Sequence, residues 1–369
     1  ELQTLQAGQI VRQAFNSLPN EQRAEILSNR FMDKLLREVL SIPESTIEAE
    51  VVPTNWLEWF ELAVRKPEWR GAVDVARVGA TEWGLAIFEK QQNLDRTITL
   101  LNELIADDRL QLAMPHLLET LQRDPEWPRK EFSGFYRTLL SAIQVTTNGG
   151  VDDLRAWSLV AEAMLGVGVD AGGYIQIVDG ARHLWKEHGS NHSLDWVLDV
   201  LDLLTEYPAR ELEQRDSLLS EVVGRMGQLA RHTTDEQWQV IRTLGIDLGH
   251  TDIFANFGSI GAEIDHKCES IGTLLQELSG RTVAVYTLTE SAARHLSERL
   301  HQWCPNAKVQ FSHDKVCNTT LQKMAHNADI FIVATASAKH AATICINQHR
   351  KNKPTIYPKG KGASSMLAA

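Results

Sequence analysis

The densest set of ligand-capable side chains in this 369-residue chain is the run Pro358-Lys-Gly-Lys-Gly-Ala-Ser-Ser365 near its end. Lys359 and Lys361 supply charge, Gly360 and Gly362 allow close backbone approach or positive φ, and Ser364 or Ser365 can cap a following helix. Cations, backbone N–H donors and a helix N-terminus are together what a phosphate group needs. The run is not a Walker A loop, because the leading glycine and its four-residue spacing are missing. Three other stretches carry comparable groups: Thr287, Thr289, Glu290 and Ser291; His313, Asp314 and Lys315; and Thr335, Ser337, Lys339 and His340.

Other constellations are poorer in chemistry. His313-Asp-Lys315 has the spacing of phospholipase-D-type phosphodiesterases, but Thr320 stands where that motif needs Asp. The glycine-rich stretch from Gly166 to Gly173 has no strand before it and no lysine, so it reads as a loop between helices. Glu290, at a strand-to-helix turn, and His340 are the groups that an acid/base role would fall to. Cys268, Cys304, Cys317 and Cys345 form no CxxC pair and no zinc-ligand spacing, so reduced, mostly buried thiols are expected, with no metal and no cofactor.

The elements that position these groups divide the chain in two. From Arg281 to Ala369 there are 12 Lys+Arg and 4 Asp+Glu, a net charge of +8, whereas Glu1 to Gly280 carries 25 basic and 44 acidic residues, a net charge of −19. The overall −11 hides that split. In the basic part, apolar runs at 282–288, 308–311, 329–334 and 354–357 read as strands, and 291–303, 319–325 and 339–350 as helices, before a short last helix. Strands alternating with helices imply right-handed βαβ units and a small parallel sheet, Rossmann-like or flavodoxin-like, with the almost wholly apolar 329–334 strand central. Open parallel sheets bind ligands beyond the carboxyl ends of their strands, where the four stretches above all fall. The expected phosphate or nucleic-acid ligands are therefore Thr289, Ser291, Lys315, Ser337, Lys339, His340, Lys359, Lys361, Gly362, Ser364 and Ser365.

The acidic part shows helical spacing of apolar residues at 20–41, 55–66, 95–106, 108–122, 131–144, 152–165, 173–187, 193–206, 211–231 and 260–279. Many helices joined by short loops imply a multi-helix bundle or an α-solenoid. The chain is thus expected to be mainly α with a C-terminal α/β domain: helices over 1–258, with a sub-division near 148–150, then a linker helix and the sheet over 259–369. Nine of the ten tryptophans precede Gly280 and sit beside Leu and Phe on helical faces, as gap-fillers would. The −19 charge disfavours this part as a wrapper of nucleic acid and leaves it free to dock proteins. The longest apolar runs are too short to span a bilayer and no signal peptide is read, so a cytoplasmic protein is expected. The start at Glu1 rather than Met leaves room for earlier residues.

Residues Ala328 to Ala369 resemble the end of an uncharacterised bacterial Rossmann-like domain of unknown function. Asp329 before the strand, Ser337 and His340 in the turn, Lys353-Pro354, Gly362 and Ser364-Ser365 match that pattern, while Lys359 and Lys361 are extra to it. The resemblance covers about the last 90 residues and implies the fold rather than a reaction; the helical part resembles nothing that can be named. By analogy, a helical region fused to such a domain is similar in architecture to accessory proteins of bacterial defence or nucleic-acid-processing systems. The expected function is a non-catalytic binding or adaptor component. Nucleic acid or another phosphate-bearing ligand would bind the basic part and protein partners the acidic part, with no membrane. A nucleotide- or dinucleotide-processing enzyme and a purely structural scaffold are the alternatives.

Overall fold

A computed structural model describes residues 52–250, 252–255, 278–334 and 340–369, with a few positions between 14 and 26. The helices expected over 20–41 and 260–279 fall almost entirely outside these residues. The chain divides into Glu1–Thr54 and Asn55–Ala369. The second unit holds both helices and sheet, so the boundary expected at 258/259 falls inside it.

The helices of that unit follow as α1 (Trp56–Arg65), α2 (Ala72–Glu82), α3 (Gln91–Glu103), α4 (Asp108–Arg123), α5 (Ser133–Thr146), α6 (Val151–Val167), α7 (Ala171–His188), α8 (Asn191–Glu206), α9 (Leu212–Gln228) and α10 (Asp235–Asp247). Their starts are capped as the sequence allows: Asn55 accepts from the Glu58 N–H at 3.0 Å, and Thr234 and Gln237 form a reciprocal capping box at α10. Helices two apart in the chain stack on each other: α1 on α3, α3 on α5, α5 on α7 and α7 on α9, and in a second row α2 on α4, α6 on α8 and α8 on α10. Consecutive helices alternating between two rows is the geometry of an α-solenoid.

One apolar core runs between the rows. Trp56, Trp59 and Trp157 are fully buried. Trp56 meets Trp83 edge-on at 5.2 Å and donates to Thr120 Oγ1 at 3.1 Å. The tryptophans thus fill interhelical space; Trp56, Trp59 and Trp196 find partners for their indole N–H groups, whereas those of Trp157 and Trp185 are buried without one among the described residues.

The α/β part continues as β1 (Thr282–Tyr286), α11 (Glu290–Trp303), β2 (Lys308–Ser312), α12 (Thr319–Asn327), β3 (Ile330–Val333), α13 (His340–Arg350), β4 (Thr355–Ile356) and α14 (Ala363–Ala368). The sheet is parallel in the order β2-β1-β3-β4, with Val285 opposite both Phe311 and Ile332. As the alternation of a strand requires, Ala284, Tyr286, Phe331 and Val333 pack under α12 and α13, while Val283, Val285 and Ile332 pack under α11 and α14.

Arg350, the last residue of α13, is a buried charge rather than a solvated one. It is 2 % exposed, and its guanidinium donates to the carbonyls of Ala325 (3.1 Å), Ala328 (2.7 Å), Asp329 (3.2 Å) and Pro354. It thereby ties the end of α12 to the starts of β3 and β4, beside the Phe331 N–H at the Pro354 carbonyl and Lys353 at the Ala328 carbonyl.

Candidate functional site

The strand order reverses between β1 and β3, so the crevice beyond their carboxyl ends is the switch point at which doubly wound sheets take ligands. Thr287 and Thr289 form its floor. Both are buried, and Thr287 Oγ1 accepts from the Thr289 N–H at 3.1 Å, shaping the turn into α11. The β2 loop is anchored beside it. His313 Nδ1 lies 2.5 Å from the Thr287 carbonyl, Tyr286 donates through its hydroxyl to the Asp314 carbonyl at 3.0 Å, and Ser312 donates to Asp314 Oδ2 at 2.8 Å. Lys315 follows these anchors and is exposed. Ser337 and Lys339, with the side chain of His340, lie outside the described residues.

The fourth loop meets a different partner. Four acids of α8, Asp195, Asp199, Asp202 and Glu206, recur at spacings of four, three and four, which places them on one helical face. That face receives the 358–365 segment. The Ser364 N–H donates to Asp202 Oδ2 at 2.9 Å and its hydroxyl to Oδ1 at 3.1 Å; the Ala363 N–H donates to Glu206 Oε1 at 3.4 Å. Ser291, at the start of α11, donates to the other Glu206 oxygen at 2.9 Å. Lys361 donates through Nζ to Glu162 of α6, and its backbone N–H is bonded to Asp199. Lys359 Nζ lies 3.3 Å from Glu236 of α10 and stays half exposed. Ser365 accepts the Gly360 N–H at 2.9 Å.

This half of the expected ligand edge is therefore filled by the chain's own carboxylates, in the manner in which a phosphate would sit at the amino ends of α11 and α14. The glycines serve close approach rather than positive φ. A Cβ on Gly360 would collide with Asp199 Oδ1, and one on Gly362 with Asp202 Oδ2. Arg299 of α11 pairs with buried Asp247 of α10, with His295 Nε2 3.4 Å from the second oxygen. Much of the charge split between the two parts is thus used in joining them.

Electrostatics in the seam follow from burial and from one ammonium group facing several acids. Burial pushes Asp199 up to about 7, with Lys361 opposing and Asp202 adding to the rise. Burial likewise raises Asp202, against the hydrogen bonds from Ser364, and raises Glu206, helped by the neighbouring Asp202. Burial works against the Lys361 ammonium, but Glu162, Asp199 and Glu206 outweigh it and hold its pKa above the ordinary lysine value.

Beside the seam a cleft of about 630 Å³ opens between α4 and α6. Met114, Leu118, Ile143 and Leu159 are among its apolar lining, and Asp199 and Lys361 among its polar lining. Its size is that of a small-molecule or peptide pocket.

Two expectations change. The thiols are not all reduced: Cys317 and Cys345 are joined as a disulfide, while Cys304 is buried and outside any disulfide and Cys268 lies outside the described residues. The pairing follows from topology, because the β2 loop and α13 are brought side by side by the packing of α12 on α13. The seam on α8 was also missed; its signal was the acidic stripe within the run Asn191–Glu206, at helical spacing opposite Leu194, Val197 and Leu201. Among the described residues, no group of three or more His, Cys, Asp or Glu is placed to hold a metal ion, and no helix is long and apolar enough to cross a membrane.

Comparison with curated proteins and with solved structures returned no match. A family model described as DpdD-like matches residues 1–369. The match takes in the helical part, which the sequence reading had left without a relative, as well as the sheet. The chain belongs to the DpdD-like family.

Proposed function

We propose that this chain is a binding and adaptor component of a bacterial multi-protein system of the defence or DNA-processing kind. In this reading it takes nucleic acid, or another phosphate-bearing ligand, at the carboxyl edge of its sheet. The observation that carries the reading is the reversal of strand order between β1 and β3, with exposed Lys315 on the adjoining loop. The 335–340 stretch, holding Ser337, Lys339 and His340, comes soon after β3 in the sequence. Lys359 is half exposed at the border of the seam and extends the positive surface.

Because Lys361, Gly362 and Ser364 face α8, Ser291 is bonded to Glu206 and Ser365 to the Gly360 N–H, the proposed ligand contacts narrow to Thr289, Lys315, Ser337, Lys339, His340 and Lys359. The acidic solenoid, with its apolar cleft, is the surface offered to proteins. The test is fluorescence anisotropy of labelled single-stranded and duplex oligonucleotides, beside a thermal-shift panel of nucleotides, at 50 and 200 mM salt. A protein that neutralises several phosphates loses affinity steeply over that range, and a bound ligand raises the unfolding temperature. Absence of binding at low salt, or affinity indifferent to salt, would reject nucleic acid as the ligand.

A further inference from the structure

The Cys317–Cys345 bridge sits where it can act on the site proposed above, and the regulation drawn here rests on that reading. Cys317 is exposed on the loop between β2 and α12, and Cys345 is 1 % exposed in the middle of α13. The Cα atoms are 5.5 Å apart and 28 residues separate the two in sequence. The bridge joins two of the segments that build the carboxyl edge: the loop carrying Lys315 and the helix that begins at His340.

The loop's other restraints are distributed unevenly. Asp314 is held by Ser312 and Tyr286, and Asn318 caps α12 by accepting the Leu321 N–H at 2.8 Å. Between those points lie Lys315, Val316 and Cys317. Lys315 and Val316 are exposed and Val316 is an uncovered apolar side chain; Gln322 Nε2 of α12 donates to Cys317 Sγ at 3.2 Å, and the bridge is the covalent tie that fastens this short arch to α13.

We infer that Cys317 and Cys345 form a reversible dithiol–disulfide pair whose oxidation fixes the 313–318 loop, and so regulates ligand binding at the sheet's carboxyl edge. An external low-molecular-weight thiolate attacks the sulfur of Cys317, the exposed residue of the pair. The S–S bond breaks, a mixed disulfide forms on Cys317, and Cys345 leaves as a thiolate and takes up a proton. A second thiolate then attacks the external sulfur, releasing Cys317 as thiolate and the small molecule as its own disulfide. Two external thiols are oxidised and one protein disulfide is reduced. Oxidation by a low-molecular-weight disulfide runs the same steps in reverse.

The experiment uses the 369-residue chain poised in glutathione buffers from reducing to oxidising. Three readouts are taken: differential alkylation with mass spectrometry, hydrogen exchange at 313–318, and anisotropy of a labelled oligonucleotide. The expected result is a 317–345 linkage in oxidising buffer only, faster exchange at 313–318 after reduction, and affinity about threefold to tenfold weaker in the reduced form, the range for ordering one side chain. Cys317→Ser, at the exposed position, is expected to abolish the redox response, and Cys304→Ser to keep it. Alkylation of both Cys317 and Cys345 in oxidising buffer overturns the inference, as does unchanged exchange at 313–318 when the linkage is broken. If neither redox form binds any oligonucleotide, the ligand reading fails, and linkage and exchange alone decide whether the pair controls the loop.

Discussion

Replacing Lys361 with Met is the sharpest perturbation of the seam that joins the two parts of the chain. The substitution keeps most of the aliphatic stem and removes the ammonium group that faces Glu162, Asp199 and Glu206. The side chains of Lys361 and Glu162 are 17 % and 20 % exposed, so this is a largely buried pair. Removing one partner of a buried pair costs about 3–5 kcal/mol, and residual solvent contact places this case near 3 kcal/mol at pH 7.5. The cost has a defined pH dependence. Glu206, pushed up to about 8, Asp199 to about 7 and Asp202 to about 6 take up protons in that order as pH falls to 5. With fewer charges to neutralise, and about 1.4 kcal/mol involved per pH unit of titration, the loss should shrink to about 1 kcal/mol at pH 5. Urea denaturation of wild type and Lys361→Met at the two pH values measures both numbers. A loss below about 1 kcal/mol at pH 7.5, or one equal at both pH values, refutes the view that Lys361 neutralises a buried acidic cluster.

Further outcomes follow from the same geometry. In the wild type, Asp199, Asp202 and Glu206 have folded-state pKa values above their unfolded ones, so their stabilising contribution is complete below about pH 4 and is lost as pH rises through 7. Asp107 and Asp124, lowered by their bonds to Arg109 and Arg129, act in the opposite sense and lose their contribution as pH falls below about 4. Melting temperature against pH should therefore peak at about pH 4 and decline from there to pH 8.5; a curve still rising between pH 6 and 8 would contradict this. Gly362→Ala should cost about 1–3 kcal/mol by forcing Asp202 away, measured by thermal unfolding, and a neutral substitution would show that the close approach is not needed. Arg350→Met removes a donor from four carbonyls, of which Pro354 keeps the Phe331 N–H and Ala328 keeps Lys353 Nζ, and should cost about 3 kcal/mol by urea denaturation, whereas a change under about 0.5 kcal/mol would mean that water replaces the guanidinium.

Much of the fold can be read along the chain because its signals are local. The strand runs at 282–286 and 330–333 are short and apolar, and the helices that follow them are amphipathic. Two helices escape that reading for physical reasons. Ala72–Glu82 is alanine-rich and is interrupted by Gly79, whose missing side chain makes room for Trp83, so its apolar period is weak. Asp235–Asp247 buries Gln237 and Gln239, although Thr234 and Gln237 spell a capping box that could have found it.

The candidate site is harder to read. An acidic stripe on one helical face looks like a solvated surface, and nothing local to α8 says that the 358–365 loop will cover it. Lys359 and Lys361 carry the right chemistry for an anion, but sequence cannot distinguish a ligand from a carboxylate far away along the same chain, such as Glu236 for Lys359 and Glu162 for Lys361. The disulfide is hidden for the same reason, since Cys317 and Cys345 become neighbours only when α12 packs on α13.

Salt-titrated binding of a labelled duplex, wild type against Lys315→Ala with Lys339→Ala, tests the central claim most directly. If those lysines contact phosphates at the sheet edge, affinity at 50 mM salt falls, and the slope of log affinity against log salt becomes shallower by about 0.9 for each contact removed. Identical affinity and slope in the two proteins, or no binding by wild type at 50 mM salt, would contradict it.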